Sequence, residues 1–254
     1  MNSIKFTILL LIVLFTFSVG YAQEEKDNTG TNPANFTYDA RFYFEMAELS
    51  NSNGSYLTNV LEFRWPLGRD VAKVAGIENE GLVHDLGKKF GARMRFRYRD
   101  LNLDTPGEGL FNNSNISGIG DIDARILWMA YGNKNLLIVP GLEATFNTSS
   151  NDALGFGANV LAPTLFFVFP GLLGKGSLFA PGYQYLFDVD GGENNEISRS
   201  QIDLYFVWLL SKGSNWLIVD PQVVIDHQGD AYPALIELEW GYMIKRLPGA
   251  SVYI

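Results

Sequence analysis

From 35 to 47 apolar and polar positions alternate with hardly a break. Phe36, Tyr38, Ala40, Phe42, Phe44 and Met46 share one parity, and Asn35, Thr37, Asp39, Arg41, Tyr43 and Glu45 the other. A period of two over this length is an extended strand with one apolar and one polar face. Similar segments recur near 56–66, 89–101, 119–131, 135–147, 158–169, 177–188, 199–210, 215–226 and 234–244, and an eleventh starts near Ala250. Such segments suit tilted strands of about 9–11 residues crossing a bilayer. The pattern therefore predicts an all-β fold over 34–254, a transmembrane antiparallel up-and-down β-barrel. Bacterial barrels close with an even number of strands. The expectation is a twelve-stranded barrel whose C-terminal closing part is missing from this chain.

Loop lengths carry a second pattern. From the fourth strand onward, short turns at 132–134, 170–176, 211–214 and 245–249 alternate with longer polar loops at 148–157, 189–198 and 227–233. Short periplasmic turns and longer outer loops are the asymmetry expected of outer-membrane barrels. The segment from Pro66 to Lys88 breaks the rule: it is long and charged on the periplasmic side, and suits either a short helix over Ala72 to Glu80 or an internal hairpin. Trp65, Trp128, Trp208, Trp216 and Trp240 all fall towards the same strand ends, which predicts one interfacial aromatic belt. Trp216 shares parity with Asp220 and so is the one that could point inward. Pro140, Pro163, Pro181 and Pro221 lie inside predicted strands, where each removes a ladder bond, and they call for bulges, bends or shorter strands.

The amino terminus reads as a secretory leader over 1–22. Lys5 precedes an apolar run from Phe6 to Phe17, and Gly20-Tyr21-Ala22 supplies small residues for cleavage. A polar, acidic stretch over 23–33 is expected to be disordered. The formal net charge of -9 becomes more negative once Lys5 is removed, which argues against nucleic acid as a partner. There is no cysteine, and His84 and His227 are the only histidines, so no metal site and no cofactor is expected. The partners implied are outer-membrane lipid, the barrel-assembly machinery of a Gram-negative cell, and a small-molecule solute.

Candidate chemistry lies in the lumen. Arg93, Arg95, Arg97 and Arg99 alternate with Phe90, Ala92, Met94, Phe96 and Tyr98. Guanidiniums facing lipid would cost about 2–4 kcal/mol each near the midplane, so the arginines must line the interior. Glu62 and Arg64 on the preceding strand, and Asp121, Asp123 and Arg125 on the following one, are expected partners. Two readings follow: an internal ion-pair lattice that props the wall, or a basic stripe that attracts anions. Asp203, Asp220, Asp226, Glu237 and Glu239 share inward parity on the opposite wall. Between the walls, 159–174 and 177–187 carry no charge, an apolar sector that suits amphipathic or aromatic solutes.

The segment Ser117-Gly-Ile-Gly-Asp-Ile-Asp-Ala-Arg-Ile-Leu resembles the Gly-x-Gly-Asp signature of the outer-membrane transporter family named for the meta-pathway of phenol degradation. Pro140-Gly-Leu-Glu-Ala-Thr-Phe, Leu154-Gly-Phe-Gly and Leu217-Ile-Val-Asp-Pro-Gln-Val resemble later segments of that family, so the likeness covers roughly Ile116 to Tyr242. Asn147-Thr148-Ser149 stands where the family usually has a threonine-proline. The resemblance implies a porin-like barrel for passive uptake of small, often hydrophobic compounds. The rival classes are a purely structural barrel and a barrel hydrolase. For the latter, Asp226, His227 and Asp230 could serve acid–base work, but no nucleophile motif accompanies them, and no catalytic residue is assigned.

Overall fold

The computed structural model describes residues 36, 39–49, 53–67, 89–104, 113–190, 196–210, 214–229, 232–243 and 251–253. The proposed leader, the 23–33 segment and most of 66–88 lie outside them. The strands are β1 (Asp39–Leu49), β2 (Asn53–Pro66), β3 (Phe90–Asp104), β4 (Asn113–Ile119), β5 (Ile122–Trp128), β6 (Tyr131–Gly132), β7 (Leu137–Phe146), β8 (Val160–Pro170), β9 (Leu178–Asp188), β10 (Ser198–Leu210), β11 (Asn215–Asp226), β12 (Ala234–Met243) and β13 (Ser251–Tyr253). They form one antiparallel up-and-down sheet, with β4 and β5 both paired to β3 and β6 paired to β7. The sheet curls into an open barrel, and β1 and β13 are not paired with each other among the described residues. No described helix is long and apolar enough to cross a membrane, which leaves open crossing by strands.

Alternation sorts the two faces. Met46 (83% exposed), Ile126 (50%) and Leu238 (65%) stand on the outer face, whereas Glu62, Asp123 and Thr164 are buried on the inner one. An apolar outside around a charged inside is the reverse of a water-soluble sheet. The first strand departs from its pattern at Phe36. β1 begins at Asp39, and Phe36, before the strand, turns inward and packs against the lumen core despite its parity.

The four prolines stay within strands, and the sheet adjusts around three of them without a change of register. Paired positions are skipped between Leu161↔Phe187 and Thr164↔Gln184 beside Pro163, between Phe166↔Gly182 and Phe169↔Phe179 beside Pro181, and between Asp203↔Gln222 and Phe206↔Val219 beside Pro221. Each ring lacks the N–H that the neighbouring strand would bond. Pro140 is different. Leu127↔Gly141 gives way to Tyr131↔Ile138, a one-residue slip at Met129–Ala130 that is the bulge expected there.

A second slip ends β4 and starts β5. Tyr98 pairs with Ile119, yet Arg95 pairs with Asp123, so the strand carries an extra residue at Gly120–Asp121 opposite Arg97. This bulge reverses the parity of the strand. Ile119 stands outside at 55% exposure, and two residues later Asp121 is buried inside. The strand expected over 119–131 thus extends upward through 113–119 on the opposite phase.

Candidate functional site

The lumen has three levels: an ion lattice in the middle, an apolar plug towards the short-turn end, and an inward-folded loop towards the long-loop end. The lattice centres on Asp123, which is fully buried. Arg95 Nε donates to both Asp123 oxygens at 3.0 Å, Arg97 Nη1 donates to Asp123 Oδ2, and Arg93 Nη2 lies 3.5 Å from Oδ1. Glu143 on β7 is a second hub. It accepts from Arg93 Nη2 and Arg125 Nε at 2.5 Å each and from Arg95 Nη2 at 3.4 Å. Glu62 accepts from Arg64 Nε at 2.5 Å, with Arg93 Nε 3.9 Å away. Alternating inward positions on β2, β3, β5 and β7 place these groups in one layer.

Among the described ion pairs, five guanidiniums (Arg64, Arg93, Arg95, Arg97 and Arg125) therefore surround three carboxylates (Glu62, Asp123 and Glu143). The geometry is that of the propping lattice. The arginines are committed to fixed carboxylates and are not arrayed as a free anion stripe. Glu143, central here, is missing from the residues selected by sequence. Its signal was inward parity with Val139 and Thr145, but it reaches the arginines only because β7 pairs directly with β5.

Two expected members of this wall do another job. Arg99 pairs with no acid among the described contacts, and its Nη1 donates to the Leu154 carbonyl at 2.9 Å. Asp121, turned inward by the bulge, accepts from Thr148 N at 3.1 Å and Ser149 N at 3.0 Å on Oδ1, and from Phe156 N at 2.6 Å on Oδ2. Ser150 N donates to the Ile119 carbonyl at 2.8 Å. The loop after β7, with a 3-10 turn at Asp152–Leu154 capped by Asn151, is thereby drawn over the lumen, and Leu154 is buried at 1% exposure. Gly118 and Gly120 leave the room it occupies. A Cβ on Gly118 would collide with Ser150, and one on Gly120 would lie 3.2 Å from the Leu154 carbonyl. The Gly-x-Gly-Asp segment is, in this fold, a bulge that clamps a loop.

At the other end the lumen is filled. Val139, Phe166, Val168, Leu178, Val207, Trp216 and Ile218 form one buried cluster on β7 to β11, and Phe36 packs against it. Large rings fit because glycines face them. A Cβ on Gly182 would come 2.5 Å from the Phe166 ring, and Cβ atoms on Gly241 and Gly91 would overlap Trp216 and Phe36. Phe36 thus lies close to Gly91 on β3 and packs on the buried cluster as well. The charge-free sector of β8 and β9 is thus part of a packed plug. The five-tryptophan belt also needs correction. Trp128 (40% exposed) and Trp240 (51%) face outward, and Trp208 stacks on Phe206, whereas Trp216 faces inward at 1% exposure with its Nε1 donating to Glu239 at 2.5 Å.

Of the acidic wall, Glu239 is therefore tied to Trp216. Asp203 and Asp220 stand inward on β10 and β11, and Glu237 pairs in register with Asp220. Asp203 lies in the field of Arg125 and Glu143, and Glu237 in that of Arg95 and Glu45, so the two walls do face each other. Asp226 is at the rim, bonded by Arg199 Nε at 3.0 Å and by the N–H groups of Gln228 and Gly229.

One arrangement was not legible in sequence. His227 Nε2 lies 2.9 Å from Ser200 Oγ, which is also 2.9 Å from the Tyr183 hydroxyl, on the outer face near the long-loop end. Ser200 is buried, and no carboxylate is bonded to His227 among the described contacts. A tyrosine–serine–histidine chain of this kind satisfies polar groups in an otherwise apolar surface. Neither a protein-family model nor a curated protein matches the chain.

Proposed function

We propose that the chain is an outer-membrane β-barrel for passive uptake of small amphipathic or aromatic solutes. The observation that carries this reading is the inversion of the sheet: an exposed apolar outer face around an inner face that carries the buried charges. That arrangement has low energy only where hydrocarbon surrounds the barrel and water or solute enters it. The secretory leader, the alternation of short turns and long loops, and the likeness of 117–127 to outer-membrane transporters support the same location. The short-turn end is then periplasmic and the clamped loop faces outward. A barrel of this size is narrow, and the apolar plug beside polarised walls disfavours heavily hydrated solutes such as sugars.

The decisive experiment refolds the mature chain into liposomes and compares entry of an aromatic acid with that of a neutral sugar of similar size. Faster entry of the aromatic solute is expected. Faster sugar entry defeats the selective reading. No entry of either favours the second reading, a structural barrel, for which the specific observation is the packed cluster around Trp216 and Phe36.

A further inference from the structure

The wall of β10, β11 and β12 holds carboxylates that no described cation of the chain contacts. Asp203 and Asp220 are each only 8% exposed, so water solvates neither well. The neighbouring amides do not answer every oxygen. Gln201 Nε2 donates to Asp203 Oδ1 at 2.9 Å and to Gln222 Oε1 at 3.2 Å, and Gln222 Nε2 donates to Asp220 Oδ2 at 2.8 Å. Asp220 Oδ1 is left buried without any partner. Glu237, opposite Asp220 on the next strand, adds a third carboxylate. An unanswered buried carboxylate is costly, and a second one beside it raises that cost by repulsion. The described ion pairs of the lattice arginines go to Glu62, Asp123 and Glu143, and Arg125 and Arg95 reach Asp203 and Glu237 only through their field.

The chemistry of the missing group follows from its surroundings. No three acidic or imidazole side chains among the described residues converge closely enough for a metal ion. An ammonium, with three N–H donors on one atom, can reach acceptors spread over adjacent strands. Next to Asp203 on the inner face stands Tyr205, which packs on the apolar plug, and next to Asp220 stands Ile218 within it. We infer that Asp203, Asp220 and Glu237 form a binding site for a small amphipathic amine, its ammonium on the carboxylates and its apolar body on Tyr205 and Ile218. This rests on the reading that solutes enter the lumen, and it names the class that is held there.

Three probes of one shape separate the charges: 2-phenylethylamine, 2-phenylethanol and 3-phenylpropanoate. Calorimetric titration of the refolded barrel should show the amine binding at least tenfold more tightly than either of the others. Asp220→Asn, nearly isosteric, should cut that preference at least fivefold, and Glu237→Gln should reduce it less. Heat-modifiable gel mobility checks that each variant is folded. Equal binding of the three probes, no binding of the amine, or a preference that survives Asp220→Asn overturns the site. Current carried by phenylethylammonium across a planar bilayer then separates this inference from the uptake reading. Binding without current keeps the site and defeats passage, while passage of neutral solutes without amine binding does the opposite.

Discussion

Removing the Asp121 carboxylate should open the loop that it holds. Asp121 accepts three backbone N–H bonds, from Thr148, Ser149 and Phe156, at 3.1, 3.0 and 2.6 Å. Bonds to an ionised acceptor contribute about 1.5–3 kcal/mol each. The three share one carboxylate, and the freed N–H groups regain water when the loop swings out, so the sum shrinks to about 3 kcal/mol. That is about a hundredfold shift in the ratio of closed to open loop. Asp121→Asn is the graded variant. Its carbonyl can keep the pair of bonds from Thr148 and Ser149, while its NH2 opposes the Phe156 N–H, for a loss of about 1–2 kcal/mol. Gly155→Ala tests the same clamp from the other side, because the added Cβ would lie 2.5 Å from Asp121 Oδ2 and 2.6 Å from Ser149 Oγ. The assays are cleavage at Asp152 by an aspartate-directed protease and single-channel conductance of the refolded barrel. Both should rise in the order wild type, Asp121→Asn, Asp121→Ala, with Gly155→Ala also raised. A protected loop and unchanged conductance in Asp121→Ala, with the barrel still heat-modifiable, would refute the clamp.

Arg97→Glu places a carboxylate beside buried Asp123 and should lower the temperature of heat-modifiable unfolding, at a cost of about 3 kcal/mol, with Arg97→Gln costing less; equal midpoints for all three proteins would show the lattice to be energetically idle. Trp216→Ala empties the centre of the plug, so it should destabilise the barrel by about 3–5 kcal/mol and raise conductance; destabilisation with unchanged conductance would place the narrowest point elsewhere. The Ser200–His227 contact is expected to be structural, so a fluorophosphonate probe should leave the refolded protein unlabelled. Labelling that Ser200→Ala abolishes would bring the hydrolase reading forward.

Strand identity was legible because alternation is a local property: each side chain's face follows from its neighbour's. Arg93, Arg95, Arg97 and Arg99 could be turned inward from parity alone, and the structure has them there. Their partners could not be read the same way. Asp121 and Asp123 have the same parity and sit two residues apart, yet one clamps a loop and the other anchors arginines. The bulge at Gly120–Asp121 sets that difference, and only the slip between Tyr98↔Ile119 and Arg95↔Asp123 reveals it. Phe36 was misplaced for a related reason. Parity extends a strand only while the chain is paired, and Phe36 lies outside β1, whose described pairs run from Asp39↔Arg64. Trp216 looked interfacial by its strand end and inward by its parity, and parity prevailed because Gly241, directly opposite, leaves space for the indole.

These placements bear on how a solute could pass. The loop held by Asp121 covers one end of the lumen, and Phe36 with Trp216 fills the other, so the charged level between them is bounded by two different kinds of barrier. The outer one is polar, fixed by hydrogen bonds that water can replace, and is the easier to open. The inner one is a packed apolar cluster, and opening it exposes hydrophobic area at about 25 cal/mol per Å². A solute with an apolar body can offset that cost by taking the place of the displaced side chains, whereas a sugar cannot. The barrier that makes a purely structural barrel conceivable is therefore also the one that would give a transporting barrel its preference. Phe36 is the element that distinguishes them, since it precedes β1 and its described contacts with the wall are packing contacts. Phe36→Ala should leave the unfolding midpoint within about 1–2 kcal/mol of wild type, because a partly buried ring loses less than a fully buried one. If the lumen conducts, that variant should speed entry of aromatic solutes more than entry of sugars. An equal gain for both would mean that the plug blocks without selecting.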